Sequence, residues 1–102
     1  MLEAQRFAAL GNALRLDVFR LVIACGDQGI PAGQIAAELD VPASTLSSHL
    51  KNLQQVGLLA SRRDQQKLIY TVNQEVVREL IAYLVKECCQ NRPALCGLTI
   101  ES

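Results

Sequence analysis

Residues 39–59, LDVPASTLSSHLKNLQQVGLL, decide the fold. Leu46, Leu50, Leu53 and Val56 recur at helical spacing, so a helix beginning after Pro42 carries one apolar face, and Gly57 stops it. Rotating by about 100° per residue from the leucine row puts Ser44, Ser48, Lys51 and Gln55 on the opposite side, with Ser47 and Asn52 flanking them. Small and polar side chains on that face suit a DNA major groove, where serine and asparagine meet base edges or phosphates and a lysine neutralises a phosphate. His49 projects only about 60° from the leucines, which assigns it to packing or hydrogen bonding rather than to base contact.

On the N-terminal side, AGQIAAEL (residues 32–39) turns Ile35, Ala36 and Leu39 inward, with Pro31 as its first helical residue and the DVP interruption following it. Further upstream, two helical patterns meet at Gly11-Asn12, where Asn12 supplies an N-cap. The first carries Leu2, Ala9 and Leu10 around Phe7; the second carries Leu14, Val18, Leu21, Val22 and Cys25. On the C-terminal side the period changes. Leu68, Tyr70 and Val72 alternate with Ile69 and Thr71, and the polar RRDQQK run (residues 62–67) separates them from Leu58 to Ser61, which predicts a two-stranded hairpin with a charged tip. Asn73 then caps a helix, QEVVRELIAYLVKECC (residues 74–89), whose apolar residues form two adjacent rows, Val76, Leu80, Leu84, Cys88 and Val77, Ile81, Val85, Cys89. A stripe that wide can contact its own domain and a second surface together. Pro93 ends the helix near Cys89 to Asn91.

A short helix, a tight turn, a second helix with one polar face and a charged hairpin make a winged helix-turn-helix pattern, mainly α with a small β-hairpin and about five helices. A polar helix face or an arginine-bearing hairpin alone is commonly just solvated surface. Their order and spacing together point to DNA. Residues 42–73 hold Lys51, Arg62, Arg63 and Lys67 against Asp64 alone, a local net charge of +3 in a chain whose ten basic and ten acidic residues otherwise balance. Arg15 and Arg20 could also reach phosphate, although salt bridges to acidic neighbours are the commoner fate of such residues.

Three stretches carry a family resemblance. ALGNALRLDVFRLV, LDVPASTLSSHLKNLQQVGLL and SRRDQQKLIYTVN look like the ArsR/SmtB family of bacterial metal-responsive winged-helix repressors, over nearly all of residues 4–85. The resemblance implies a homodimer, paired through the first and last helices, that binds double-stranded operator DNA and leaves it when an inducer binds. It also implies that Ser44, Thr45, Ser47, Ser48 and Lys51 lie on the recognition helix and Arg62, Arg63, Gln66 and Lys67 in the wing. Three departures stand out. Gln65 occupies the hairpin tip where family members often have glycine, AGQIAAELD lacks the Cys-x-Cys pair of the best-known arsenic sensors, and His49, the single histidine, is not on the last helix where zinc sensors place Asp and His ligands.

Of the four cysteines, Cys88, Cys89 and Cys96 fall within nine consecutive positions at the end of the last helical pattern. Adjacent side chains on a regular helix diverge by about 100°, so one small ion can be gripped only if the last turn loosens and Pro93 returns Cys96 toward the pair. Trivalent arsenic or antimony accepts three thiolates and nothing else, whereas zinc ordinarily takes four ligands and hard cations prefer oxygen. Within the family resemblance, such a three-cysteine site is also similar to what some arsenic-responsive members carry at this end of the chain. Packing accounts for Cys88 and Cys89, which continue the apolar rows, but not for Cys96. Cys25 extends the apolar row of the second helix and belongs to the core.

These readings converge on one domain, residues 1–102, with 88–102 as helix end and tail: a cytoplasmic, non-enzymatic repressor, with As(III) or Sb(III) as inducer and no required cofactor. Two of the thiols bridging by disulfide or persulfide under oxidant or sulfide is the alternative within the same fold. A thiol enzyme would need an activated thiolate beside a base or a helix N-terminus, and these cysteines sit at a helix C-terminus. A protein-binding winged helix without DNA affinity is the remaining class, supported by the neutral total charge alone. Charges recur every few residues through the N-terminal segment, and LVIAC (residues 21–25) is its longest apolar run, too short for a signal peptide core or a membrane span.

Overall fold

The computed structural model describes residues 2–87. In chain order these form α1 (Leu2–Leu10), α2 (Ala13–Cys25), β1 (Ile30–Pro31), α3 (Ala32–Leu39), α4 (Ala43–Gln55), β2 (Leu59–Asp64), β3 (Lys67–Val72) and α5 (Gln74–Glu87), with a 3₁₀ turn at Gly26–Gln28. This is the winged helix-turn-helix fold. Helices α3 and α4 are the helix-turn-helix pair, and β2 and β3 form the wing. Asn12 caps α2 as its sequence suggests, its Oδ1 accepting from the Arg15 N–H at 3.0 Å.

Both helices of the pair end in the same way. Asp40 closes α3 at φ 53°, ψ 50°, its N–H reaching Ala36 and Ala37 carbonyls, while the Val41 N–H donates to Ala36 O at 3.1 Å. Aspartate tolerates this left-handed geometry better than most residues. Gly57 does the same for α4 at φ 85°, with the Gly57 and Leu58 N–H groups donating to Gln54 O and Leu53 O. Each is a Schellman closure, which satisfies orphan carbonyls and turns the chain sharply. Leu53 and Leu58, brought together by the second, are both fully buried.

The core lies between α2, the two helices of the pair and the inner face of the sheet. Val18, Val22, Ile30, Ile35, Leu46, Leu53 and Leu58 have essentially no exposed surface, and burying each such side chain stabilises the fold by roughly 1.5–3 kcal/mol. Cys25 packs against this cluster as a half-buried residue, in keeping with its assignment to the core. Phe19, absent from the apolar rows read in the sequence, is 8% exposed and belongs to it as well.

In three places the structure differs from the reading of the sequence. Pro31 precedes α3 in extended geometry, φ −68° and ψ 149°, instead of opening it. With Ile30 it makes a third strand, and the sheet order is β1-β3-β2, all antiparallel. A two-residue strand has no alternation to betray it. Nor is RRDQQK a long separator, because Arg62, Arg63 and Asp64 continue β2 and pair with Ile69, Leu68 and Lys67. The turn is Gln65-Gln66 alone, and Gln65 takes φ 59°, the conformation that glycine ordinarily supplies at a hairpin's first turn position.

Neither apolar row of α5 is wholly buried. Val76 and Leu80 of the first row and Val85 of the second are buried, whereas Leu84 of the first and Ile81 of the second are 41% and 51% exposed. Leu2 on α1 is 46% exposed, and Phe7 of α1 meets Tyr83 of α5 with ring centroids 6.1 Å apart. Among the described residues no helix is long and apolar enough to cross a membrane.

Candidate nucleic-acid interface

Helix α4 is held by Leu46, Leu50 and Leu53, exposed by 3% or less. That anchoring fixes its rotation and turns Ser44, Thr45, Ser47, Ser48, Lys51 and Gln55 to solvent, while His49 and Asn52 are half-buried at the margins. From Ser44 to Gln55 the polar face runs about 16 Å at 1.5 Å per residue. It is also nearly unoccupied by the protein itself. Ser48 Oγ donates to its own helix at Thr45 O, 3.3 Å, and no other side chain of the solvent-facing six makes a hydrogen bond among the described residues.

Two polar contacts set the wing beside this helix. Gln54 Nε2 donates to Ser61 Oγ on β2 at 2.9 Å. On the other side, the Arg62 guanidinium donates to Gln28 O at 2.7 Å and Asp27 O at 3.3 Å, tying the wing to the turn before β1. Gly29 completes that join at φ 72°; a Cβ there would stand 2.6 Å from Ile69 Cγ2 and 2.7 Å from Tyr70 O. Thus, of the wing residues the sequence singles out, Arg62 is engaged by the body of the protein. Arg63, Gln66 and Lys67 are exposed and line a groove of about 610 Å³ against Pro31 to Gln34 at the start of α3.

Charge is disposed accordingly. Among the described residues the ion pairs are Arg6–Glu79 and Arg78–Glu75, both remote from this surface. Lys51, Arg63 and Lys67 therefore carry positive charge with no carboxylate bound to them. The same holds for Arg15 and Arg20, for which salt bridges were the expected fate, because no carboxylate lies within 4 Å of either among the described residues.

Arg6 escaped the reading of the sequence. It is 8% exposed, donates through Nε to Val56 O at 2.8 Å and through Nη1 to Glu79 Oε2 at 3.0 Å. One guanidinium thereby joins α1, the last carbonyls of α4 and α5. A signal was present, since Arg6 stands three residues before Ala9, and that helical spacing puts the cation on the inward side of α1. Cys88, Cys89 and Cys96 lie outside the described residues, and no cluster able to hold a metal occurs among the described ones.

Comparison with known proteins agrees with this geometry. A helix-turn-helix domain model matches residues 10–62. The chain is 36% identical over 90 residues to the HTH-type transcriptional regulator YgaV of Escherichia coli, covering 85% of this chain and 90% of that protein. Reduced HlyU from Vibrio cholerae superposes with a TM-score of 0.67 at 26% identity, covering 83% of this chain and 86% of the other. A homodimeric winged helix-turn-helix DNA-binding domain from Mycobacterium bovis, described as a possible ArsR-family regulator, gives 0.66 at 27% identity, over 82% and 76% of the two chains.

Proposed function

The chain belongs to the helix-turn-helix transcriptional regulators, in their ArsR-like winged form, and from that premise we propose that it is a dimeric, arsenite-responsive repressor. The observation that carries DNA binding is the unoccupied polar face of α4 beside three cations, Lys51, Arg63 and Lys67, that have no ion-pair partner among the described residues. In this reading Ser44, Thr45, Ser47 and Ser48 meet the major groove and Lys51 a phosphate, while Arg63, Gln66 and Lys67 reach the flanking backbone. Arg62 holds the wing at the right distance through its two carbonyl contacts.

Pairing runs through α1 and α5. The support is apolar surface left over on those helices, at Leu2, Ile81 and Leu84. A 102-residue chain with half its residues hydrophobic gains burial by covering them. A second copy would also set two recognition helices at a fixed spacing, as half-sites on DNA require.

Cys88, Cys89 and Cys96 follow Glu87, the last described residue of α5, in sequence, so a ligand on them acts next to the pairing helix. As(III), or Sb(III), held by three thiolates lowers operator affinity, and reciprocity demands that operator DNA weaken metalloid binding by the same factor. Oxidation of the same thiols is the second reading, favoured by the likeness to a regulator whose reduced form was solved as such. The deciding experiment measures release of the purified protein from DNA upstream of its own gene by arsenite and, separately, by oxidant. Cys96→Ser is expected to bind that DNA normally and to lose most of its response to arsenite. Undiminished release of the variant by arsenite removes Cys96 from the site, and release by oxidant alone replaces the metalloid with redox chemistry.

A further inference from the structure

A second cavity, of about 410 Å³, opens between α1, the first turn of α2 and the C-terminal half of α4. Its polar wall consists of Gln5, Arg15, Asn52 and Gln55, the rest being alanine and valine. Two atoms of that wall are buried with no hydrogen-bond partner, Arg15 Nε and Asn52 Oδ1. A desolvated polar atom left unpaired costs about 1–3 kcal/mol, and more when the group is charged. No acidic residue lines the cavity, and no carboxylate pairs with Arg15 among the described residues. The fold thus holds a cation in a recess with neutral amides around it and, among the described residues, no carboxylate opposite.

We propose that this recess is a phosphate subsite of the DNA interface, with Arg15 as its cation. It rests on the DNA-binding reading above and extends it past the end of the recognition face, onto α1 and α2. Gln55 makes the connection, because it belongs to the polar stripe Ser44, Ser48, Lys51, Gln55 and to the cavity wall alike. A phosphate there lies beyond the end of the groove-reading face that is farther from Ser44. Guanidinium binds phosphate through paired N–H donors, and an unused Nε is one of the two that such a pair needs. Asn52 contributes a further donor once its amide is turned over, since the O and N positions of an amide are interchangeable in shape.

The test is the salt dependence of binding by the full chain, measured by fluorescence anisotropy on a duplex from upstream of its own gene and on a random-sequence duplex. Each phosphate neutralised contributes about −0.9 to the slope of log K against log salt. Arg15→Gln is expected to make the slope shallower by about that amount per subunit on both duplexes, since a phosphate contact is blind to sequence. Gln5→Lys, at an exposed position on α1, is expected to steepen it by a similar amount. A slope unmoved by Gln5→Lys overturns the proposal even when Arg15→Gln weakens binding, because only the loss could come from altered folding. Inorganic phosphate titrated into the free protein separates the other source of the same chemistry. Saturable binding that Arg15→Gln abolishes, with DNA slopes unchanged, gives the recess to a free oxyanion and overturns the DNA assignment. Wild-type protein that binds neither duplex fails the DNA-binding reading itself.

Discussion

Replacing Arg6 with glutamine separates two interactions that share one guanidinium. Its Nε bond to Val56 O is made by a side chain only 9% exposed, whereas the Glu79 carboxylate that meets Nη1 belongs to a side chain 62% exposed. Screening leaves an ion pair of the second kind worth between zero and about 1 kcal/mol. A charge-assisted bond to a backbone carbonyl contributes about 1.5–3 kcal/mol, and the buried aliphatic stem of arginine adds packing that glutamine only partly replaces. Val56 O is also one of the orphan carbonyls at the end of α4, where a cation further offsets the helix dipole. Arg6→Gln is therefore expected to lose about 2–4 kcal/mol and Glu79→Gln less than about 1 kcal/mol. At roughly 4–8 °C per kcal/mol for a domain of this size, the first variant's thermal midpoint falls on the order of 10–30 °C. Arg6→Lys recovers less than half of the loss, because one ammonium cannot reproduce the fork that serves two partners. The assay is urea and thermal unfolding followed by circular dichroism, at one protomer concentration throughout because a dimer's apparent stability depends on it. Equal losses in Arg6→Gln and Glu79→Gln would refute the reasoning, since they would make the exposed ion pair, and not the carbonyl contact, the source of the stability.

Two further substitutions probe the wing. Gly29→Ala forces a side chain into φ 72°, ψ −170° and against Ile69, Tyr70 and Thr71; backbone strain of about 1–3 kcal/mol and overpacking of about 1–3 kcal/mol predict an unstable protein, and a loss below about 1 kcal/mol by urea titration contradicts the close approach of the chain at that point. Gln65→Gly works in the opposite sense: relief of φ 59° gains about 1–2 kcal/mol, glycine's extra unfolded-state freedom returns about 0.5–1 kcal/mol, and the expected net stabilisation of about 0.5–1 kcal/mol is read from the same titration, with a destabilised variant as the refuting result.

What could be read in advance were the features with a period. Leu46, Leu50 and Leu53 fixed the rotation of α4, and with it which side chains face solvent, because a buried row leaves a helix one way to lie. Local punctuation was legible where one residue type has one strong role, as at Asn12 and Gly57. Contacts to backbone atoms far away in sequence leave no such trace. Arg62 reaches carbonyls 34 and 35 residues away, and Arg6 one 50 residues away; a carbonyl is present at every position, so no residue type announces the acceptor. The expectation of salt bridges for Arg15 failed on similar grounds, since acidic neighbours in the chain do not determine which way a side chain faces once the helix is packed.

Those unreadable contacts share a consequence for how the molecule can switch. Helix α4 is fastened at its end to α1 and α5 through Arg6, and to the wing through Gln54 and Ser61, while the wing is fastened to the turn before β1 through Arg62. Any event that shifts α5 relative to α1 thus acts at Val56 O, on the recognition helix itself, without a longer relay. Because packed interfaces repack between discrete arrangements instead of deforming smoothly, a small displacement between α1 and α5 is passed on to the end of α4. Under the proposed function, release from DNA requires that the displaced arrangement bind the inducer better than the DNA-bound one does; a shift from 99:1 to 1:99 takes a preference of about 5.5 kcal/mol.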